Sequence, residues 1–361
     1  MALPVFRRCH LHLNETWNSA PHLRCNYADY TFMKKFILTG ITAAVLVHAC
    51  SNTETDVAAE TMAASLQVPF DQLPVTNAVF VVDGTTNYVN VMGNQRKPIP
   101  TFPSVAQKKG WAVGYVKDTY GKPVPGAVIG VRSSAYGGFT SGSSAVTNEK
   151  GYYEVMIPWG VADFYAGAAM VDYEGSPVSM SLFPADSSLG SFPGPAGIVK
   201  NWVLLPYGQC RRASVASQPH FSSNYFGASI SIEYASYDKG DFFAQPDQFE
   251  RNSEFEIKLI PQELMHATEK RSFTIRKTVY YNSLNVLNIP VGKYKIEARK
   301  LPGGEPLKLK STFYNPRPEY GMKPSEATGS AMITFIPKSS DAGTTIPYGG
   351  NWEDVRILVS Q

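Results

Sequence analysis

Beyond residue 49 the chain carries two histidines, His220 and His266, and a single thiol, Cys210, besides Cys50. Nucleophilic catalysis needs a base within hydrogen-bond reach of a serine or thiol and a third group to orient that base. Serines are abundant, but neither histidine stands in a spacing that favours such a trio. The Gly-x-Ser-x-Gly elbow is missing, as is a glycine loop ending in Lys-Ser/Thr that would cradle phosphate. Two histidines 46 positions apart give no zinc spacing, and no metal or other cofactor is expected. Asp238-Lys-Gly-Asp241 is the closest acidic turn to a calcium loop and reads as an ordinary polar turn. Paired carboxylates could act on a glycosidic bond, with Asp163, Asp172, Glu174, Asp238 and Asp241 as candidates. His266, within Gln262–Glu269, reads as a surface helix or loop residue, and Pro261 to Lys270 is the best helix candidate. No catalytic residue is assigned.

Aromatic residues are the remaining chemical signal. Trp111 and Trp202 lie inside strand-like runs and read as core. Trp159, in Pro158-Trp-Gly160-Val-Ala-Asp163-Phe-Tyr165, and Trp352, in Pro347-Tyr-Gly-Gly-Asn-Trp352, lie in loop sequence rich in Gly and Pro. Loop aromatics beside polar groups can stack on sugar rings or anchor a protein partner, so Trp159, Tyr165 and Trp352 are the candidate binding residues. Cys210 reads as a buried apolar thiol.

The segment from Met33 to Cys50 dictates where these residues work. Two lysines, Lys34 and Lys35, precede an apolar run that ends in Val47-His48-Ala49-Cys50. A basic start, a short apolar stretch and a small-residue cleavage site make a secretory signal over 33–49. The run is too short for a bilayer span of about 20 residues. Its end resembles a bacterial lipobox, which implies a lipid, palmitate included, on Cys50 as first mature residue. That places the protein in the cell envelope, exported and membrane-anchored, at the outer membrane or cell surface in a diderm. Residues 1–32 precede the natural start of such a signal and read as a misassigned extension.

Residues 1–49 hold Arg7, Arg8, Arg24, Lys34 and Lys35 against Glu15 and Asp29, so twenty-eight charges of each sign remain downstream. A neutral mature chain has no bulk attraction to nucleic acid. With Cys50 lipidated, Cys210 has no partner for an intrachain disulfide. Stability must then come from buried apolar surface, and about 310 residues suffice for two cores.

Residues 50–108 read as a tether, with a β-hairpin near 77–92, where Ala78–Val82 and Tyr88–Val91 flank Asp83-Gly84. From Trp111 onward, runs of four to eight β-prone residues alternate with Gly and Pro turns, and amphipathic helical periodicity is almost absent. The spacing predicts an all-β chain of two antiparallel β-sandwiches, over 109–207 and 208–361.

Gly114-Tyr-Val-Lys-Asp118-Thr-Tyr-Gly121-Lys-Pro123-Val-Pro-Gly126, followed by Thr147-Asn-Glu-Lys-Gly151-Tyr-Tyr153, resembles the carboxypeptidase regulatory-like domain, a sandwich of transthyretin-like topology. The resemblance covers roughly 110–175 and implies a non-catalytic β-domain of the kind appended to exported bacterial proteins. Ser133–Ser144 departs from the pattern as a Gly/Ser-rich insertion that lengthens a loop. Asn288-Ile-Pro-Val-Gly292-Lys-Tyr294 looks like the approach to a late strand of a related sandwich, which is immunoglobulin-like in kind. The expected function is a non-enzymatic envelope lipoprotein, a binding or scaffold module for glycan or protein. The alternatives are a carbohydrate-active enzyme using paired carboxylates and a purely structural envelope protein.

Overall fold

A computed structural model of the chain describes residues 69–96, 98–134, 138, 140–210, 216–312 and 315–361, all within one compact unit, Asn52–Gln361. The leader, Cys50 and the first part of the tether lie outside the described residues. The ordered elements are strands joined by turns, so the chain is all-β. Among the described residues no helix is long and apolar enough to cross a membrane.

Two strands come first, β1 (Val75–Val82) and β2 (Tyr88–Asn90). Nine follow: β3 (Trp111–Asp118), β4 (Val128–Ser134), β5 (Thr140–Val146), β6 (Tyr152–Met156), β7 (Val161–Tyr173), β8 (Ser176–Pro184), β9 (Phe192–Pro193), β10 (Ile198–Val199) and β11 (Trp202–Leu204). They build a strongly curled sheet of order β10-β3-β11-β8-β7-β4-β5, with β6 on the free side of β3. Its ends meet where the Ser143 hydroxyl donates to the Met156 carbonyl, joining β5 to β6. Curling buries one face, on which Val116, Ile129, Val131, Val155, Leu182 and Trp202 pack. The Trp202 indole N–H, removed from water, donates to the Tyr153 hydroxyl at 3.1 Å.

The remaining strands are β12 (Ala228–Glu233), β13 (Ser236–Tyr237), β14 (Phe249–Glu250), β15 (Glu254–Leu264), β16 (Lys270–Thr278), β17 (Ser283–Ile289), β18 (Gly292–Leu301), β19 (Lys308–Ser311), β20 (Gly321–Lys323), β21 (Glu326–Thr328), β22 (Ser330–Thr334), β23 (Ile336–Pro337), β24 (Trp352–Glu353) and β25 (Val355–Ser360). Ten of them join β1 and β2 in two six-stranded sheets, β1-β16-β15-β18-β22-β20 and β2-β17-β12-β25-β19-β21, while β13–β14 and β23–β24 form two short two-stranded sheets. Alternation in β15 and β18 turns Phe255, Ile257, Leu259, Tyr294 and Ile296 inward and leaves Lys258, Lys295 and Glu297 outside. Most pairs are antiparallel, with parallel pairs at β1–β16, β2–β17, β12–β25 and β13–β14.

Three sequence expectations change here. The hairpin near 77–92 does not form. β1 pairs in parallel with β16, from Val75↔Lys270 to Val82↔Lys277, and β2 pairs in parallel with β17 in the other sheet. Residues 83–87 are therefore an arch between sheets. The reason is a buried cation: the Lys277 ammonium sits inside the arch and donates to the carbonyls of Asp83, Gly84 and Thr86. Asp83 shapes the same turn by accepting the amides of Thr85 and Thr86 at 2.8 and 2.7 Å. Second, the Gly/Ser-rich Ser133–Ser144 stretch is largely strand, since β5 pairs with β4 from Val128↔Val146 to Ser134↔Thr140. Its low apolar content fits an exposed edge. Third, Pro261 to Lys270 is not helical. β15 runs through to Leu264, and a register shift between Pro261 and Glu263 absorbs the proline's missing N–H.

Two turn positions show why the glycines stand where they do. Gly151 has φ +70, and a Cβ there would meet the Val116 carbonyl oxygen at 2.4 Å. A Cβ on Gly292 would meet the Glu263 carbonyl oxygen at 2.1 Å, so the start of β18 packs onto the end of β15 only without a side chain.

The two sandwiches share a joint of buried polar contacts. The Thr119 hydroxyl donates to the His266 carbonyl at 2.8 Å, and the Tyr120 hydroxyl to the Ala267 carbonyl at 2.6 Å. The Tyr173 hydroxyl donates to the Gly292 carbonyl and accepts the Phe335 amide, while its ring stacks on Tyr320 with centroids 5.7 Å apart. Lys293 and Glu174 close the rim at 3.1 Å.

Candidate functional site

The joint fixes directions within the unit. β7 starts at Val161 and ends at Tyr173 on the joint, so its thirteen residues carry the 159–161 turn about 40 Å away. Met156 and Trp111 are paired at the same far end, and so are Ser134 and Val161. This tip presents Trp159, 77% exposed, with exposed Met156 and Val161 beside it in the chain. Exposed apolar residues singly need no explanation, but here three fall within six positions around one turn.

The backbone under Trp159 is held on both sides. The Pro158 carbonyl accepts the Ser133 hydroxyl at 2.6 Å, and the Gly160 carbonyl accepts the Gly194 amide at 2.9 Å. Gly160 has φ +132, and a Cβ there would meet the Ser134 carbonyl oxygen at 2.6 Å, which makes glycine necessary next to the indole. Trp159 is thus displayed on a fixed turn, without the ordering cost that a mobile loop would add on binding.

A polar–aromatic strip leads away from the tip along β3 and β6. The Lys108 ammonium stands 3.9 Å from the centroid of Trp111 and pairs with Glu154. Tyr152 donates to Glu154 at 3.2 Å and packs on Tyr115 with centroids 5.3 Å apart. Lys108 and Tyr152 together hold the Glu154 carboxyl below its usual range. Trp111 is therefore half-buried on an outer face and is not the core residue that its strand context suggests. Trp202 is core as expected.

The structure separates the three aromatic candidates. Tyr165 lies half-buried on the outer face of β7, flat over Gly130 and Gly142, whose missing side chains make room for its ring. It is six residues along the strand from Trp159, about 20 Å. Trp352 is 4% exposed and meets Tyr173 edge-on at 5.5 Å, where β24 pairs with β23. It belongs to the packing of the joint and is withdrawn as a binding residue. Flanking Gly and Pro misled the reading, because this loop folds inward: Pro347 covers Gly167, and the Asn351 amide donates to the Ser179 carbonyl at 2.7 Å.

The carboxylate candidates are each engaged. Asp163 pairs with Arg132 at 2.8 Å, Glu174 with Lys293, and Asp238 with Arg251 at 2.8 Å. Asp172 and Asp241 accept the turn amides of Gly175 and Phe243. Asp163 and Asp241 stand on different sandwiches. His220 packs against Phe221 with ring centroids 4.4 Å apart. His266 is fully buried at the joint with φ +51, neither ring nitrogen has a hydrogen-bond partner among the described residues, and burial pulls its pKa down to about 4. The surface placement expected for it is therefore wrong. Cys210 is buried, as expected. Among the described residues no group of three or more His, Cys, Asp or Glu could hold a metal ion.

Sequence reasoning passed over a second aromatic pole. Phe242 and Phe243 are 93% and 81% exposed and touch each other edge to face. Tyr280 and Tyr281 form a similar exposed pair, and Arg251 joins Asp238 to the Tyr280 face beside a hollow of about 640 Å³. The signal was available: two adjacent phenylalanines follow the polar turn Asp238-Lys-Gly-Asp241, where turn chemistry has no use for them.

No protein-family model matches the chain, and no curated protein matches it. Solved structures similar to it in part include the Bacillus anthracis TIE protein, at 13% identity and a TM-score of 0.25, covering 70% of this chain and 34% of that one. A Streptococcal ancillary pilin gives 11% identity and a TM-score of 0.20, covering 67% and 62%. The shaft pilin SpaA from Lactobacillus rhamnosus GG gives 9% and 0.19, covering 70% and 97%. The chain thus spans about a third of the TIE protein's length. At these scores nothing about activity or partners is drawn from them.

Proposed function

We propose that this chain is an exported, non-enzymatic lipoprotein of the cell envelope that docks glycan or protein partners through the tip of its first sandwich. Display of Trp159 carries the reading: a bare indole on a turn fixed by Ser133 and Gly194, at the end of the sandwich away from the joint. The adjoining Lys108, Trp111 and Glu154 supply the polar–aromatic surface that a sugar ring or a peptide uses for orientation. The carbohydrate-active alternative draws no support from carboxylates that are taken up by cations and turn amides.

Lipid on Cys50 and the kinship of 109–207 to carboxypeptidase regulatory-like domains are parts of the same proposal. The kinship is supported by left-handed backbone at Gly121, Gly126 and Gly151, the glycines that define the resemblance. Two experiments test the proposal. Incorporation of labelled palmitate, lost in Cys50→Ser, supports the anchor, and no incorporation removes it. A glycan array together with binding to purified envelope proteins, with Trp159→Ala as the comparison, tests the tip. Equal signals from the two chains on every positive probe would refute it.

A further inference from the structure

We infer that β1 is a self-association edge, pairing antiparallel with β1 of a second copy of this chain. β1 is the outermost strand of its sheet, and among the described residues it pairs only with β16. Its other edge presents a row of backbone amides and carbonyls. Such an edge is a template for another strand unless charge, proline or a bulge blunts it. None of these is present: the eight residues Val-Thr-Asn-Ala-Val-Phe-Val-Val contain no charge and no proline, and the pairing with β16 runs without a register shift.

The side chains single out the same strand. Across the outer face of this sheet the other strands show polar or charged groups, among them Lys258, Thr274, Arg276, Glu297 and Arg299. The β1 lane instead shows Val75, Val79 and Val81, which are 71%, 62% and 75% exposed. β1 and β20 are the two outermost strands of this sheet, and of the two only β1 joins large exposed apolar side chains to an edge that pairs with nothing among the described residues, which is what strand addition requires.

A second β1 fits better than an arbitrary strand. Antiparallel pairing centred on Ala78 sets Ala78 opposite itself, Val79 opposite Asn77 and Val81 opposite Val75. Every outward residue then meets an outward residue, and the half-buried Ala78 and Phe80 stay on the core side. The contact is isologous and closes as a dimer. The strand ends are complementary in charge: Lys270 lies beside the start of β1 and Asp83 directly follows its end, so the antiparallel arrangement brings the Asp83 carboxylate of one copy to the Lys270 end of the other.

The register makes the test specific. Directly opposed residues of an antiparallel pair have Cα atoms about 4.5–5.5 Å apart, within disulfide range. Oxidation of the full chain bearing Ala78→Cys is expected to give a disulfide-linked dimer, at least about tenfold more than Val79→Cys, whose thiols would sit on a diagonal beyond that range. Sedimentation velocity at micromolar concentration is expected to show a dimer that Val79→Lys abolishes and Val79→Thr retains, position 79 being exposed and neutral to folding. Equal yields from the two cysteine variants, or a monomer throughout, would overturn the inference. A monomer whose β1 amides resist hydrogen exchange would overturn it as well, assigning the edge to residues that precede Pro69.

Discussion

Tyr173 at the end of β7 donates its hydroxyl to the carbonyl of Gly292 at the start of β18, at 3.0 Å, and so ties the last residue of a first-sandwich strand to the first residue of a second-sandwich strand. The same oxygen accepts the Phe335 amide at 2.8 Å. Tyr173→Phe keeps the ring on Tyr320 and Trp352 but strands a buried carbonyl and a buried amide. The expected loss is about 1–3 kcal/mol, read as a lower urea midpoint with an unchanged slope. A split into two separate transitions would show that this hydroxyl supplies the coupling between two sandwiches that each cohere on their own.

Burial of His266 predicts acid sensitivity. Its pKa falls from an ordinary 6.5 to about 4 because the imidazole is out of water, with no hydrogen-bond partner among the described residues. The unfolded chain therefore binds the proton between those values and the folded chain does not. Stability is complete above pH 6.5, falls as pH drops from 6.5 to 4 by roughly 3 kcal/mol in all, and falls no further from this group below pH 4. Asp118, on the first-sandwich side of the joint, has its carboxyl raised by burial and acts in the opposite sense. His266→Asn isolates the histidine, since asparagine tolerates the left-handed backbone. Urea midpoints at pH 7 and pH 4.5 should differ less in that variant than in the parent.

The arch between β1 and β2 depends on Lys277. Its buried ammonium serves three carbonyls, and burial lowers its pKa. Lys277→Met is similar in size but leaves those carbonyls unserved, for an expected cost of about 3 kcal/mol. Hydrogen exchange should show faster amides in 75–90 first. Unchanged exchange there would mean that sheet pairing alone holds the arch.

Tryptophan truncations should divide by location. Trp352→Ala empties a buried site against Tyr173 and should cost about 3–5 kcal/mol. Trp159→Ala removes an exposed ring and should change stability by no more than about 0.5 kcal/mol. Thermal melts of the two variants check both statements together.

The fold was legible where periodicity is local. Runs of β-prone residues between Gly and Pro turns mark β3, β4, β6, β8 and most second-sandwich strands, because alternation reports directly which face is buried. Partner choice was not legible. Asp83-Gly84 between two β-runs is the common hairpin signal, yet what decides the pairing is Lys277, nearly two hundred residues away in sequence. β5 escaped notice because an exposed edge strand can be built from Ser and Gly without an apolar lane. Of the candidate site, Trp159 was found and Trp352 misplaced by the same rule. Loop composition marks a turn and does not tell whether the turn folds out to water or back onto a neighbouring sandwich. Phe242 and Phe243 carry their signal only in position, as two apolar rings directly after a polar turn, and tryptophan content does not report it.

Docking by the first-sandwich tip is tested most directly by titrating labelled chain against isolated cell envelopes, comparing the parent with Trp159→Ala at matched thermal stability. Saturable binding by the parent and at least about tenfold weaker binding by the variant is the predicted result, the scale of a central aromatic anchor. Indistinguishable curves for the two proteins would contradict it.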